Sequence, residues 1–303
     1  MKKTLLTGFA LCVAALCQAA LPTVESVEKV VLPDGVAISM ATISPDGSYA
    51  VVSPMTGIGL QRLNLATGEM TEISKNGSPM DVTISADGTN VLYRESSYDS
   101  SHRRFVALKA FNNENGTTTT LVAPSRNLQG YVLDGKEAVA VENGRRMAKS
   151  VNGVNAESAG RAALSIYQGK LFVTDASGNV NEIRPLGNQC GSYLWPVLSP
   201  DGQRIVAFGV GTGAFTCDLN GENVKLLGMY RAPQWLDNET VVAMDDYDNG
   251  IVTVKSTIMA INADGSDKVA LTNDDVVAVF PTPSTNKVAF TTPQGELYII
   301  NLK

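Results

Sequence analysis

The sequence predicts an all-β fold, a single six-bladed β-propeller, and two observations carry this prediction. A turn of the type Ser-x-Asp-Gly recurs at intervals of 36 to 67 residues, which bracket the length of a four-stranded propeller blade. Glycine accounts for 27 of the 303 residues and charged residues for only 18%, a composition that favours short strands and tight turns over helical bundles. Seven blades remain an alternative, because the longest interval, from Asp134 to Asp201, has room for an extra strand pair.

The first 20 residues have the pattern of a secretory signal peptide. Lys2 and Lys3 precede an apolar run over residues 5–16, and small residues follow it. Residues 21–303 are expected to form one propeller domain in the periplasm or outside the cell, with no integral membrane segment. Without the two lysines the chain carries 22 basic and 30 acidic residues, a net charge of −8. Nucleic acid is therefore not expected as a partner.

The Ser-x-Asp-Gly turn marks the hairpin between the first two strands of each predicted blade. Three copies are clear and three are degenerate: 44–47, 85–88 and 199–202, then 132–135, 235–238 and 283–286. Aspartate and glycine at these positions are typical of tight turns between antiparallel strands. Each turn precedes an apolar or alternating segment that is predicted to be the second strand: 49–53, 90–94, 137–141, 204–208, 240–244 and 287–291.

A second turn follows most of the first ones and is predicted to close an outer hairpin. Its copies lie at 65–68, 113–116, 175–178, 218–221 and 262–265. That makes five outer hairpins for six inner turns, so the last blade lacks an outer strand. The segment from Val24 to Leu32 is expected to complete that blade, which would close the ring and cover two sheet edges.

These repeats resemble a known family. The clearest copy, from Leu194 to Phe208, is similar to the TolB-type WD40-like β-propeller repeat, which also appears in the propeller of dipeptidyl peptidase IV-like proteins. The resemblance covers essentially all of residues 21–303 and implies a fold rather than an activity, because the signature residues build turns. The additional domains of those proteins are not expected here, and the sequence has no Gly-x-Ser-x-Gly nucleophile elbow.

Three long insertions are predicted between second and third strands, on one face of the propeller: 95–104, 143–167 and 245–255. Long loops on one end of a rigid scaffold are the usual place for binding, although surface insertions without a function are the alternative. The middle insertion has a local charge of +3. The candidate ligand-binding residues on this face are Tyr98, His102, Arg103, Arg104, Arg145, Arg146, Lys149, Arg161, Asp246, Tyr247 and Asp248.

Four aromatic residues lie near predicted first strands, where they either pack in the core or stack on a ligand at the mouth of the channel. They are Tyr193, Trp195, Tyr230 and Trp235. Two cysteines remain after export, Cys190 and Cys217, and they form either one disulfide or two buried thiols. Geometry decides between these alternatives.

Metal and cofactor chemistry find little support in the sequence, and neither a metal nor a cofactor is expected. His102 is the single histidine, so a centre with several imidazole ligands cannot be built. The acidic run that begins at Asp245 resembles the start of a calcium loop, but Thr257 stands where the closing Glu is needed. We therefore expect an exported, non-enzymatic propeller that binds a protein, peptide or glycan. The alternative is a glycoside hydrolase or lyase that uses carboxylates at the central channel.

Overall fold

The structure, a computed structural model, describes residues 20–153 and 160–303. These residues form strands and one 3₁₀ helix, Gly187–Gln189. The strands are, in chain order, β1 (Val24–Lys29), β2 (Ile38–Ile43), β3 (Tyr49–Pro54), β4 (Leu60–Asn64), β5 (Met70–Ser74), β6 (Ser78–Ile84), β7 (Asn90–Tyr98), β8 (Arg104–Asn112), β9 (Thr118–Ser125), β10 (Leu128–Asp134), β11 (Glu137–Glu142), β12 (Arg145–Ser150), β13 (Ala163–Tyr167), β14 (Lys170–Thr174), β15 (Val180–Ile183), β16 (Tyr193–Leu198), β17 (Arg204–Gly209), β18 (Gly213–Asp218), β19 (Lys225–Gly228), β20 (Arg231–Trp235), β21 (Thr240–Asp248), β22 (Thr253–Asn262), β23 (Lys268–Ala270), β24 (Val279–Pro283), β25 (Lys287–Thr291) and β26 (Leu297–Leu302).

The described strands form seven antiparallel sheets, so the propeller has seven blades and the prediction of six was wrong. We number them along the chain: blade 1 is β2–β5, blade 2 is β6–β9, blade 3 is β10–β12, blade 4 is β13–β15, blade 5 is β16–β19, blade 6 is β20–β23, and blade 7 is β24–β26 with β1. Blades 3 and 4 have three strands each, and the other five have four. The long interval between Asp134 and Asp201 thus contains one blade more than predicted.

The error lies in the segment 143–167, which was predicted to be one long loop. It contains β12 and β13, which belong to two different blades. Asn143 and Gly144 both have positive φ, at 51° and 69°, and Asn-Gly is a strong signal for a two-residue hairpin turn. That turn joins β11 to β12, which is the third and last strand of blade 3. Residues 154–159 of the predicted loop, like the predicted signal peptide up to residue 19, lie outside the described residues.

Strand β13 runs in the opposite direction to the neighbouring inner strand, β16. Its beginning lies beside the end of β16, because Arg161 Nη2 donates a hydrogen bond to Ser199 O at 2.6 Å. Its end lies beside the beginning of β16, because Tyr193 N donates to Gly169 O at 2.8 Å. After three antiparallel strands the chain emerges on the face opposite to the one where it entered, whereas after four strands it emerges on the same face. The reversal of β13 therefore lets blade 4 start where blade 3 ends.

The N-terminal strand closes the ring, as predicted. Strand β1 pairs antiparallel with β26, from Val24 opposite Leu302 to Lys29 opposite Tyr298. Beyond this ladder, Lys29 Nζ lies 2.5 Å from Glu296 Oε1. The first and last strands of the described chain thus belong to one blade, and each covers an edge of the other.

The hydrophobic core is divided among the interfaces between blades. The second strands are buried on both faces because each blade packs between two others, and this explains their nearly continuous apolar sequence. Within the described residues, every pair of adjacent blades shares a cluster of buried apolar side chains. The cluster between blades 3 and 4 is the smallest, with Val139, Val141 and Ala163 as its buried members. No helix in the described part of the chain is long and apolar enough to cross a membrane.

The two faces of the ring have the turns that the sequence predicted. One, which we call the connection face, has the turns between second and third strands beside the connections between blades, as where Met55 N donates to Ala37 O at 2.9 Å. The reversed blade 4 is the exception, because its turn between first and second strands lies on this face, where Gly169 O accepts from Tyr193 N. The other, which we call the turn face, has the Ser-x-Asp-Gly turns beside the outer hairpin turns, as where Leu65 N donates to Ser48 O at 3.1 Å.

Candidate ligand-binding face and channel

A cavity of about 860 Å³ lies at the centre of the ring, among the inner strands of blades 2 to 5. Its wall includes residues from β6, β10, β13 and β16, and Gln234 of β20. Polar and aromatic side chains reach it from several blades: Asp81, Arg94, Arg126, Tyr131, Arg161, Tyr167 and Trp195. A cavity of this size that combines apolar walls with a few polar groups is typical of a ligand site.

Bulges in the inner strands change the direction of side chains at the channel wall. The pairing register shifts in β6, β16, β20 and β24. Within each shift one non-glycine residue has a positive φ, between 47° and 53°: Asp81, Trp195, Ala232 and Phe280. This left-handed conformation is uncommon for residues with a side chain, and such residues cluster at functional sites. Two of the four, Asp81 and Trp195, line the cavity.

The cavity wall has more positive than negative charge. Arg94 Nε donates to Asp81 Oδ2 at 2.6 Å, and Arg94 Nη2 also contacts this carboxylate. Arg94 and Asp81 therefore compensate each other. Arg126 and Arg161 add two further cations to the wall, and Asp81 is the one carboxylate among its described residues. On a chain with an acidic surplus, this is a local reversal of charge.

Tyr131 connects blade 3 to blade 2 at the cavity wall. Its hydroxyl contacts the Asp81 carbonyl and lies 3.1 Å from Thr83 Oγ1 and 3.2 Å from Leu92 O. Burial raises the pKa of this hydroxyl well above its usual range. Tyr131 therefore stays neutral at ordinary pH, and it fixes the backbone that positions Asp81.

Two long hairpins extend the connection face. Strands β7 and β8 have nine residues each, and β21 and β22 have nine and ten, against five or six in most other strands. Two of the predicted insertions, 95–104 and 245–255, are therefore formed by strand extensions that end in short turns. Tyr98 is 64% exposed and Tyr247 is 65% exposed. The exposed His102, Arg103 and Arg104 lie at the same end of the first hairpin as Tyr98.

The acidic residues of the second hairpin are held by an arginine and by the backbone. Arg231 Nη1 donates to Asp246 Oδ2 at 3.0 Å and to Asp248 Oδ2 at 3.3 Å. Asp248 Oδ1 accepts from Gly250 N at 2.9 Å. The Asp246 side chain is buried, and burial raises its pKa although Arg231 opposes the shift. The described residues contain no cluster of three or more metal-ligating side chains.

The other predicted ligand residues do not form one group. Arg145 is exposed at the start of β12 on the connection face, whereas Arg146 and Lys149 are half-buried further along β12 and have contacts within the fold. Burial lowers the pKa of Arg146. Arg161 lies at the turn face, against the backbone of Ser199. The basic loop predicted from these four residues is therefore not formed.

Of the four predicted aromatic residues, Trp195 is the one that is exposed at the channel. It is 38% exposed and packs edge-on against Phe208, with 5.7 Å between ring centroids. Tyr193 is buried beside the cavity. Tyr230 and Trp235 are buried between blades 5 and 6, so they belong to the core, the alternative that the sequence left open.

The two cysteines are free thiols in the structure, so the predicted alternative of a disulfide is not realised in it. Both belong to the cluster between blades 4 and 5, with Cys217 buried and Cys190 partly buried. Cys190 Sγ donates to Ser192 O at 3.2 Å. Burial raises the pKa of Cys217 to about 12, and a thiol without its thiolate form is a poor nucleophile.

The inner strands offer little to carboxylate-based hydrolysis. Across the seven described inner strands, the carboxylates are Asp81 and Asp134. Asp81 is bound by Arg94, and Asp134 lies at the end of β10 toward the turn face. Glycoside hydrolysis needs two carboxyl groups that flank one bond. Within the described inner strands, Asp81 therefore has no second carboxyl group beside it in the cavity wall.

Sequence reasoning missed several cavity residues, namely Asp81, Arg94, Arg126, Tyr131 and Tyr167. One signal was present in the chain. Proline follows the left-handed residue in three inner strands, at Pro196, Pro233 and Pro281. This recurrence marks the bulge position, and by alignment with the turns it would have indicated Asp81. The arginines and tyrosines carry no such repeat and depend on the assembled ring.

Comparison with known proteins supports the fold. No protein-family model and no curated protein sequence matches the chain. Among solved structures, it is similar to a chain of the mitotic checkpoint complex, with a TM-score of 0.63 and 10% identity over 99% of this chain and 98% of that one. It is also similar to the Cps50 (Swd1) β-propeller domain of Myceliophteria thermophila, with a TM-score of 0.60 and 11% identity over 93% of this chain and 100% of that one.

A third similar structure is an oligogalacturonate lyase from Vibrio parahaemolyticus, with 13% identity over 89% of this chain and 79% of that one. Its TM-score is 0.49. The first two likenesses, at 10% and 11% identity, concern the arrangement of the chain rather than its chemistry. Together with the seven radial sheets, they show that this protein has a β-propeller fold.

Proposed function

We propose that this protein is an exported, non-enzymatic β-propeller that binds a protein partner on its connection face. The observation that carries the proposal is the position of the exposed large apolar side chains. Nine of them lie in turns, hairpin tips or blade connections of that face: Met55, Ile58, Tyr98, Tyr167, Val210, Met229, Tyr247, Ile251 and Val252. Exposed large apolar side chains concentrated on one face suggest an interaction site there.

The turn face is polar and acidic, in contrast to the connection face. Within the described residues, none of the exposed large apolar side chains lies in its inner or outer turns. Aspartates occupy most of these turns, including Asp46, Asp87, Asp201 and Asp264. A polar, acidic face favours solvation over docking. The contrast between the two faces supports a partner that approaches from one side.

The chemistry of the connection face favours a protein over a glycan. Aliphatic side chains project at the hairpin tip of blade 6, where Ile251 is 89% exposed and Val252 is half-exposed. Protein interfaces use aliphatic and aromatic side chains in this way, whereas sugar rings are bound mainly by aromatic faces and hydrogen bonds. The likeness to a chain from the mitotic checkpoint complex agrees with a role in an assembly, by analogy of fold alone.

Export is part of the proposal and rests on the signal-like pattern of residues 1–20. The resemblance of the Ser-Pro-Asp-Gly turns to the TolB-type repeat agrees with a periplasmic or extracellular protein. Cell fractionation with mass spectrometry of the N-terminus tests this. We expect the protein outside the cytoplasm with a new N-terminus near residue 21, and a full-length cytoplasmic protein would contradict the proposal.

Substitution of exposed apolar residues tests the docking face. We expect the triple variant Tyr98→Ser, Tyr247→Ser and Ile251→Ser to lose the partner that co-purifies with the native protein. A matched control is Leu226→Ser, because Leu226 is an exposed apolar residue on the outermost strand of blade 5. Retention of the partner by the triple variant, with both variants folded, would contradict the proposed face.

A further inference from the structure

The arginines of the central cavity differ in their hydrogen-bond and ion-pair partners. Arg94 is bound to Asp81, and Arg161 uses one Nη atom on Ser199 O while its Nε is buried with no acceptor among the described residues. Arg126 is exposed at the wall and makes no hydrogen bond or ion pair within the described part of the chain. Asp99, the carboxylate whose pKa Arg126 helps to lower, is already bonded by Arg103. The guanidinium of Arg126 therefore has hydrogen-bond donors available for an anion in the cavity.

We propose that the central cavity binds a carboxylate of a peptide segment of the partner, with Arg126 as its principal contact. A guanidinium is planar and presents paired donors that match a carboxylate. Arg161 lies at the turn face beside Asp201, whose pKa it helps to lower, so Arg126 is the cation available to an anion at the connection-face end of the cavity. A cation beside apolar, low-dielectric walls attracts an anion more strongly than the same charge in open solvent. This inference rests on the proposed docking function and names the chemistry that the cavity adds to it.

The walls around the cations suit a peptide. Tyr167 is 50% exposed at the connection-face end of β13, and the ring of Trp195 faces the same cavity from β16. Their rings can cover the apolar parts of a peptide beside its carboxylate. The cavity continues into the connection face, whose exposed aliphatic residues suit polypeptide. A volume of about 860 Å³ has room for a short segment of a few residues.

Trp195 provides a fluorescence signal inside the cavity, since the other tryptophan, Trp235, is buried between blades. The probes are an array of acetylated hexapeptides, each made with Glu and with Gln at one position, and each with a C-terminal acid and with an amide. We expect the carboxylate form to bind at least tenfold more tightly than its matched amide at low salt, which corresponds to about 1.4 kcal/mol. The two pairs distinguish a side-chain carboxylate from a terminal one.

The key variant is Arg126→Gln, which removes a guanidinium that makes no hydrogen bond or ion pair within the described residues. It should abolish the preference for carboxylate peptides while the protein stays folded. Arg145→Gln is the matched control, because Arg145, like Arg126, is an exposed arginine on the connection face but does not line the cavity. It should keep the preference. Trp195→Phe should remove the fluorescence change, because the remaining tryptophan, Trp235, is buried between blades.

Several results would overturn the inference. These are equal binding of acid and amide peptides, an unchanged preference in Arg126→Gln, or binding of uronate oligosaccharides in place of peptides. The outcome is separable from that of the docking face. If the partner depends on Tyr98 and Tyr247 but not on Arg126, the face stands and the cavity proposal falls. If carboxylate peptides bind through Arg126 while the triple variant keeps its partner, the cavity proposal stands and the proposed docking face falls.

Discussion

At the scale of single residues, the Ser-x-Asp-Gly turn is one hydrogen-bond network used three times. Its serine hydroxyl donates to the aspartate two residues later, at 2.6 Å from Ser44, 2.6 Å from Ser85 and 2.5 Å from Ser199. The same hydroxyl accepts from the first backbone N–H of the next strand, as at 2.9 Å for Arg204. The glycine has φ near +70° in all three copies, where a side chain is strained. The serine, the aspartate and the glycine of the motif are therefore each required by the geometry of the turn.

Removal of one such hydroxyl should destabilise the propeller measurably. In Ser199→Ala, Asp201 loses a donor and Arg204 N loses an acceptor, and we expect the free energy of unfolding to fall by about 1 to 2 kcal/mol. Urea unfolding followed by fluorescence measures this. The control is Ser177→Ala in an outer turn, where the hydroxyl makes no hydrogen bond within the described residues and the expected change is under about 0.5 kcal/mol. Equal effects at both positions would contradict the network.

The turn aspartates predict how stability depends on pH. The serine hydroxyl is the main reason that the pKa of Asp46, Asp87 and Asp201 lies below its ordinary value, and for Asp87 it falls to about 2. Because the folded state lowers these pKa values, their stabilising contribution is present above pH of about 4 and is lost as the pH falls toward 2. Unfolding at pH 5, 4, 3 and 2.5 measures it. Asp87→Asn should lose less stability than the native chain across this range, and an identical slope would count against this explanation.

At the scale of elements, the unusual feature is the close approach of β10 and the reversed strand β13. Gly130 lies where the two backbones meet, and a Cβ atom there would collide with the carbonyl oxygen of Leu164. Its φ is not positive, so the requirement for glycine comes from space rather than from conformation. This position fixes the wall of the cavity between blades 3 and 4.

Gly130→Ala should therefore force these two strands apart. We expect a loss of about 1 to 3 kcal/mol in the free energy of unfolding, together with altered Trp195 fluorescence because the cavity wall moves. Gly191→Ala is the control, since a Cβ atom at Gly191 meets open space and the φ there is not positive. If Gly130→Ala were as stable as Gly191→Ala, the reversed packing of β13 would be incorrect.

The elements also show what a single sequence can and cannot predict. All six predicted second strands and all five predicted outer turns are present, because these turns need residue types that are visible in the sequence. The turn at 175–178, however, joins the second and third strands of blade 4 and does not belong to the blade of the turn at 132–135. The three-stranded blades were missed because the turn at Asn143 and Gly144 was read as part of a loop. The reversal of β13 could not be predicted, since it depends on which face the chain occupies after blade 3.

Some residues of the candidate site could also be predicted from the sequence, and others could not. Tyr98 and Tyr247 were predicted on the correct face because hairpin length can be counted along the chain. Arg126 and Arg94 reach the cavity only after distant blades are assembled, so no local pattern identifies them. Arg161 was assigned to the wrong face because β13 was not recognised as a strand.

At the scale of the whole molecule, stability depends on closure of the ring by β1. Deletion of residues 21–34 exposes the edge of β26 and removes the ladder from Val24 to Lys29. We expect a sharply lower melting temperature, measured by circular dichroism. Deletion of residues 1–20 is the control, because it leaves β1 in place. An unchanged melting temperature in the larger deletion would contradict closure by this strand.

The central claim is that a partner binds on the connection face. Site-specific photocrosslinking in cells tests it most directly, with a photoreactive residue at Tyr98 or Ile251 on that face and at Thr67 or Asp264 in outer turns of the opposite face. We predict that the first two positions crosslink to the same protein and that the last two do not. Crosslinks to that protein from the turn face, or equal crosslinks from both faces, would contradict the account.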